Sequence, residues 1–404
     1  MTAERLKDQI NPTVVMLMAE LIQAQLGQTP QQNLGLSNTN PLSQKPLQTA
    51  NFKKLQKETF EKEPFDKAAF VAAVLTADFE QLSLMARVQQ IATQLGHFLP
   101  SDFEQACQIL FPVSAEFSGL VGFIFPEFVS QFGLAQPEIA LPALAHFTQF
   151  STSEFAIRPF LQAFPELTLA QMARWAGSEN VHLRRLASEG CRPRLPWGKA
   201  LPAFIADPQP VLQILHQLKA DPADYVRRSV ANNLNDISKD HPELALDVAA
   251  SWFGHSPHTD WIVKHAMRGL LKKRHPKALK LFGYALLSPK AQLSLAASSI
   301  HLGDAVHFTA TLDFPEAPGK VRIEFAIDFA SANGKLRHKV FQWSEREITE
   351  PSWQQSRSYR FVDLTTRKHY SGTHRLHLIV NGQIVASCDF VLMKRNESTA
   401  IVTN

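Results

Sequence analysis

The sequence predicts a mainly α fold, a HEAT-like-repeat α-solenoid followed by a C-terminal immunoglobulin-like β-sandwich. Three observations carry this prediction. From about Pro137 to Leu287 apolar residues recur at the helical period in paired runs, broken by Pro, Gly and capping residues. Within those pairs one short pattern returns four times, an aromatic or His residue followed three positions later by a base. The copies are Phe155-Ala-Ile-Arg158, His182-Leu-Arg-Arg185, Tyr225-Val-Arg-Arg228 and Trp261-Ile-Val-Lys264, at spacings of 27, 43 and 36 residues, the range of stacked helix pairs. After about Pro289 the period drops to two, as in Val321-Arg-Ile-Glu-Phe-Ala-Ile-Asp-Phe329.

Residues 1–64 open with an amphipathic helix over 5–26, built on Val14, Val15, Leu17, Met18, Leu21 and Ile22. A stretch at about 27–51, rich in Gln, Asn, Pro, Ser and Thr, has little to bury and is expected to be flexible. The second domain, 65–288, begins with helical runs at Phe70–Leu75, Leu82–Leu95 and Phe103–Leu110 and an aromatic core helix within 117–135. Four pairs follow: 141–150 with 153–164, 169–176 with 178–189, 211–219 with 223–239, and 244–253 with 260–274. Ser153, Ser178, Asp221 and Asp260 stand as capping-type residues beside the inner helices. The third domain, 289–404, reads as about seven short strands with hairpin turns at Asn333-Gly334 and Asn381-Gly382.

Composition sets bounds on function. At 404 residues, 45% hydrophobic and 19% charged, the chain is an ordinary globular protein with ample core. Its net charge is only +4, so a basic surface must come from arrangement. Cys107, Cys191 and Cys388 lie far apart without a CxxC motif, which suggests a reducing compartment and argues against a zinc site or disulfide framework. The first twenty residues lack a clean apolar core and no run of 18 apolar residues occurs, so a cytoplasmic protein is expected. No P-loop, GxGxxG, HExxH or GxSxG motif is present.

A base in every repeat is not a requirement of packing. Arg158, Arg185, Arg228 and Lys264 are expected in a row on one face of the stack, a track for phosphates. Arg184, Arg192, Arg227, Asn232 and Arg268 extend it, and Arg367-Lys368, in a basic turn between strands, offer a further contact with nucleic acid. Two carboxylates accompany the track. Glu154 precedes the first repeat's aromatic, and Glu179 follows Trp175 by four residues; both are expected in first helical turns, where capping is their ordinary role. An indole and an anion beside a phosphate track also suit hydrolysis of a glycosidic bond, where both stabilise developing positive charge. The six histidines from His301 to His377 show no ligand spacing and are expected at the surface.

At Ser153-Glu-Phe-Ala-Ile-Arg-Pro-Phe160, Leu183 to Trp197 and Tyr225 to Asp236 the chain resembles the AlkC group of HEAT-like-repeat DNA glycosylases, related to the AlkD group. The resemblance covers roughly residues 65–285, and the β domain, with Tyr370-Ser-Gly-Thr-His374 and Val380-Asn-Gly382, resembles the immunoglobulin-like domain that some members append. It implies release of cationic N-alkylated bases, 3-methyladenine and 3-methylcytosine, from duplex DNA. It also implies that no metal or cofactor is needed and that the base is not rotated into a deep pocket, unlike the usual extrusion strategy. Trp175 to Asn180 resembles the AlkD segment with a catalytic Trp and an acid four residues later, here Glu179; the second aromatic of that group falls near Asn232. The expected catalytic residues are therefore Glu154, Glu179 and Trp175, acting on double-stranded DNA as a monomer. A non-catalytic reader of bent or branched DNA and a protein-binding scaffold are the alternatives.

Overall fold

The computed structural model describes residues 6–27, 65–285, 287–332, 334–363 and 368–394. The polar stretch beyond Gly27 and the turn residue Arg367 lie outside them. Sixteen α-helices and eight strands are described, and none of these helices is long and apolar enough to cross a membrane. The chain divides into two compact units, residues 1–240 with 256–262, and 241–255 with 263–404.

The first unit opens with α1 (Pro12–Gly27), α2 (Lys67–Val74), α3 (Leu84–Phe98), α4 (Phe103–Ser114) and α5 (Ile124–Phe132). Short polar residues start these helices where apolar periodicity begins. Asp66, Ser83 and Asp102 each accept a bond from the backbone N–H three residues on, satisfying a donor that the helix itself leaves open. On α1 the buried stripe is Val15, Met18, Ala19 and Ile22, which packs against α2 and α4. Then come α6 (Pro137–Phe147), α7 (Arg158–Ala163), α8 (Pro165–Ala176), α9 (Val181–Glu189), α10 (Pro202–Ala206), α11 (Gln209–Leu218) and α12 (Asp224–Asp240). Several open on proline, whose missing N–H and fixed φ suit the first helical position. The pair α8–α9 stacks on the pair α11–α12, α9 lying against α12 and α8 against α11, the layering of a helical-repeat solenoid.

Two boundaries differ from the expectation. Residues 154–157 form turns, and α7 begins only at Arg158, with Pro159 in its first turn, where a missing N–H is no loss. Asn180 rather than Ser178 caps α9, its Oδ1 accepting from the His182 N–H at 2.9 Å. Neither Glu154 nor Glu179 therefore stands in a first α-helical turn.

The second unit holds α13 (Pro242–Trp252), the end of α14 (Pro257–Ala266), α15 (Arg268–Lys272), α16 (Pro276–Leu281) and the strands. The strands are β1 (Lys290–Leu295), β2 (Ser299–His301), β3 (Ala305–Asp313), β4 (Gly319–Ala330), β5 (Leu336–Ile348), β6 (Ser352–Arg360), β7 (Gly372–Val380) and β8 (Gln383–Met393). Two sheets, β1-β3-β6 and β2-β8-β7-β4-β5, face each other. Phe308, Phe325, Trp343, Trp353, Phe361 and Phe390 fill the space between them. Asn381 and Gly382 both take positive φ, 42° and 83°, as a two-residue hairpin turn requires. Eight strands are described where about seven were expected, the three-residue β2 being too short for a period to show in the sequence. His369, His374 and His377 are buried rather than at the surface: His369 and His374 pack on Phe361, while His377, on the opposite face of β7, is covered by Asp328 and Ser387.

Arg322, only 4% exposed, anchors the outer side of this sheet. It bonds Glu324 at 2.7 Å and Glu345 at 3.2 Å. Glu345 also accepts from Lys264 and from the Tyr284 hydroxyl, and Asn381 Nδ2 donates to the Ala285 carbonyl at 2.8 Å. The last helical residues of this unit are thus fastened to the sheet through one shared carboxylate.

Candidate active site

Six acids and bases of the first unit form a continuous ladder. Glu154, 8% exposed, receives the Arg185 guanidinium on Oε2. The Thr152 hydroxyl donates to the same oxygen at 2.7 Å and accepts from Arg185 Nη1 at 2.7 Å. Glu189, the last residue of α9, stands 3.7 Å from Arg185, at i, i+4, and 2.7 Å from Arg192, three residues on in the turn beyond the helix. Arg192 then reaches Asp236 on α12 at 2.9 Å, and Asp236 also holds Lys239 at 2.7 Å. Charges so little exposed persist only when paired and hydrogen-bonded. Here every step alternates in sign.

The upper end of the ladder is bordered by aromatic rings. The Arg185 guanidinium lies 5.1 Å from the centre of the Tyr225 ring, a cation–π contact worth roughly 0.5–2 kcal/mol. His182 meets the same ring edge-on at 6.0 Å. Burial, and then the neighbouring Arg185 charge, lower the His182 pKa, so this imidazole is neutral near pH 7. The Tyr225 hydroxyl is raised, by burial first and by Glu154 and Glu189 against the opposing Arg185. Glu154 Oε1 carries no hydrogen bond among the described residues. One carboxylate oxygen is locked and the other is available, the arrangement that fixes a carboxylate's direction while leaving it an acceptor.

Arg158 departs from the expected row. It is 3% exposed, and its Nε donates to the Lys199 carbonyl at 2.7 Å while Nη1 donates to those of Gly190 and Arg192, each at 2.9 Å. Burial lowers its pKa to about 10. Its place is inside because three carbonyls of the 190–201 connector converge on it. Gly190 is needed there: a Cβ would meet Ile157 at 2.6 Å. At the tip of that connector Trp197 is 71% exposed with φ 65°, a left-handed conformation rare for a bulky residue and held at a cost of order 1–3 kcal/mol. Turn bonds from Gly198 N–H to Leu195 and from Leu201 N–H to Pro193 close the loop beneath it.

The remaining expected residues separate. Trp175 is 5% exposed and belongs to the buried stripe Thr168, Met172, Trp175 and Ala176 of α8; its indole faces the core, not a ligand. Glu179 is exposed in the α8–α9 turn, so the two do not act together. Arg184 pairs with Asp221 at 2.6 Å and bonds the Ser178 and Glu179 carbonyls; Arg227 bonds those of Asp221 and Pro222. Both are braces between turns rather than surface bases. Arg192 serves the ladder. Arg228 is 65% exposed and meets Asp224 at 2.6 Å, Asn232 is half-buried on α12, and Lys368 is exposed. Lys264 and the half-buried Arg268 belong to the second unit, Lys264 bound to Glu345.

This geometry has counterparts. Residues 148–273 match the family model of the "DNA alkylation repair enzyme", and residues 290–394 match that of the "Uncharacterised protein YhaZ, C-terminal Ig-like domain". The chain is 47% identical over 324 residues to the uncharacterized protein YhaZ of Bacillus subtilis, covering 80% of this chain and 90% of that one. The alkylpurine DNA glycosylase AlkC of Pseudomonas fluorescens, solved bound to DNA containing an abasic site analog, superposes with a TM-score of 0.83 at 33% identity, covering 96% of this chain and 99% of that one. The chain belongs to the AlkC family of DNA alkylation repair proteins. Both of its architectural parts lie within that relationship, the helical repeats that carry Glu154 and the appended immunoglobulin-like sandwich alike.

Two features of this family member escaped the sequence. Asp236 enters the ladder from α12, with no local sign of it. Trp197 ends the segment Arg192-Pro-Arg-Leu-Pro-Trp197, and two prolines before an aromatic were the available signal that it lies outside a helix.

Proposed function

We propose that this protein is a DNA glycosylase releasing cationic N-alkylated bases, 3-methyladenine and 3-methylcytosine, from duplex DNA without rotating them into a deep pocket. The observation that carries this reading is Glu154, nearly buried, locked through Oε2 by Arg185 and Thr152 and open at Oε1. A methylated base is already a good leaving group, so the bond to C1′ breaks with positive charge growing on the sugar. An anionic oxygen fixed in direction stabilises that charge and orients the water that completes hydrolysis. The rest of the ladder keeps Arg185 in place, since Glu189, itself held by Arg192, pairs with it from behind. Exposed Trp197 supplies the π-face that Trp175 cannot, against sugar or base. Arg228 and Lys368 contribute contacts to phosphate. Membership of the AlkC family, whose Pseudomonas fluorescens structure holds DNA, supports DNA as the partner.

The test is release of free base from DNA carrying 3-methyladenine or 3-methylcytosine, with wild type and Glu154→Gln, alongside binding to an abasic-site duplex. Release by wild type, lost in Glu154→Gln with binding retained, is expected. Binding without release by wild type would make the protein a reader of distorted DNA instead.

A further inference from the structure

Far along the chain from Glu154, three potential metal ligands meet on the sheet face opposite the sandwich core. β4 sends Ile323, Phe325, Ile327 and Phe329 into the core, so the alternation turns Asp328 to the other side. Asp328 is in register with His338 of β5, and His377 of β7 lies on the same face, its neighbours Leu376 and Leu378 pointing to the core. Asp328 Oδ1 meets His338 Nδ1 at 2.6 Å, and Oδ2 meets His377 Nε2 at 2.8 Å. The other nitrogen of His377, Nδ1, lies 2.8 Å from the hydroxyl of Ser387, its register partner on β8. Four adjacent strands thus contribute one row, His338, Asp328, His377 and Ser387.

We infer that this row binds a transition-metal dication, zinc being the natural occupant, through His338, Asp328 and His377. The three donor atoms lie within 4.8 Å of one another. Tetrahedral ligands at 2.0–2.2 Å from zinc stand about 3.4 Å apart, so small side-chain rotations close the set. Two imidazoles with one carboxylate select zinc, nickel or copper over magnesium or calcium, which prefer all-oxygen sites. Ser387 already does what an outer partner does in such sites, fixing His377 with Nε2 inward. His338 has a side chain 43% exposed, against 10% for His377 and 18% for Asp328, so one coordination position opens to water. On binding, the protons on the two facing ring nitrogens leave to solvent and the metal takes their place. Arg375, in register with Asp328 on β7, is itself engaged by Asp389 at 2.6 and 2.9 Å.

Chelator-treated full-length protein titrated with Zn²⁺ against a chromophoric indicator decides the matter, with Co²⁺ as an optical probe of tetrahedral ligation. One equivalent bound, weakened about tenfold or more in His338→Ala and in His377→Ala, with the Co²⁺ visible bands lost, is expected. Affinity unchanged in His301→Ala and His275→Ala, whose side chains pair with Asp304 and Glu243 elsewhere, supports the assignment. Absence of binding, or binding indifferent to His338→Ala, overturns it. His338 is exposed enough that its variant folds even if His377→Ala does not.

Discussion

The molecule contains two ladders of buried charge, and they differ in one respect. In the second unit Glu345 uses both oxygens: Oε1 takes Lys264 and Tyr284, and Oε2 takes Arg322 and Gln342. In the first unit Glu154 uses only Oε2 and keeps Oε1 open. Both networks have similar exposure and the same alternation of sign, so burial of charge by itself does not mark a site. A closed network fixes two elements to each other. An open one fixes a single atom toward a space where a ligand can arrive.

The largest expected effect tests the closed ladder. Arg322→Ala leaves Glu324 and Glu345 buried without their partner, and stability falls by about 3–5 kcal/mol, measured by urea unfolding; base release per folded molecule stays unchanged. Loss of release at full stability would break the comparison. Glu154→Gln is the converse. The rate of base release falls by about 10²–10³ in single-turnover assays, near 2.7–4 kcal/mol in the barrier, while the unfolding midpoint moves less than in Arg322→Ala. Trp197→Ala sharpens the contrast further. A stacking residue contributes about 1–3 kcal/mol to nucleic-acid affinity, so duplex affinity drops accordingly. Thermal stability holds or rises, because the left-handed backbone at 197 is easier for the smaller residue. Arg228→Ala is the smallest: binding weakens slightly, and the salt dependence loses about one phosphate contact, near 0.9 in slope.

Much of this was legible along the chain. Periods of 3.6 and 2 separated solenoid from sandwich, and Asn381-Gly382 marked a hairpin. Glu154 was visible as an acid beside a repeated aromatic. The four equivalent bases were not distinguishable, because the same register buries Arg158 under a connector and leaves Arg228 in solvent. Only the tertiary path of 190–201 decides between them. Trp175 was misread although its own helix held the answer, since Thr168, Met172, Trp175 and Ala176 form a regular core stripe. The pairings of Arg192 with Asp236, 44 residues apart, and of His377 with Asp328, 49 apart, depend on helix stacking and strand register that no local window contains.

Arg158 grips the carbonyls of residues 190, 192 and 199 with one guanidinium. The segment between them is a ring closed by hydrogen bonds instead of a covalent link. Closing such a loop removes chain entropy during folding, once, and not again at each encounter with a ligand. A tryptophan carried on an open loop would have to surrender that freedom on binding, and its grip would be weaker and slower to form. Trp197 arrives already immobilised. The base that looked like a hand for phosphate is a clasp, and what it holds still is the most exposed tryptophan of the described chain.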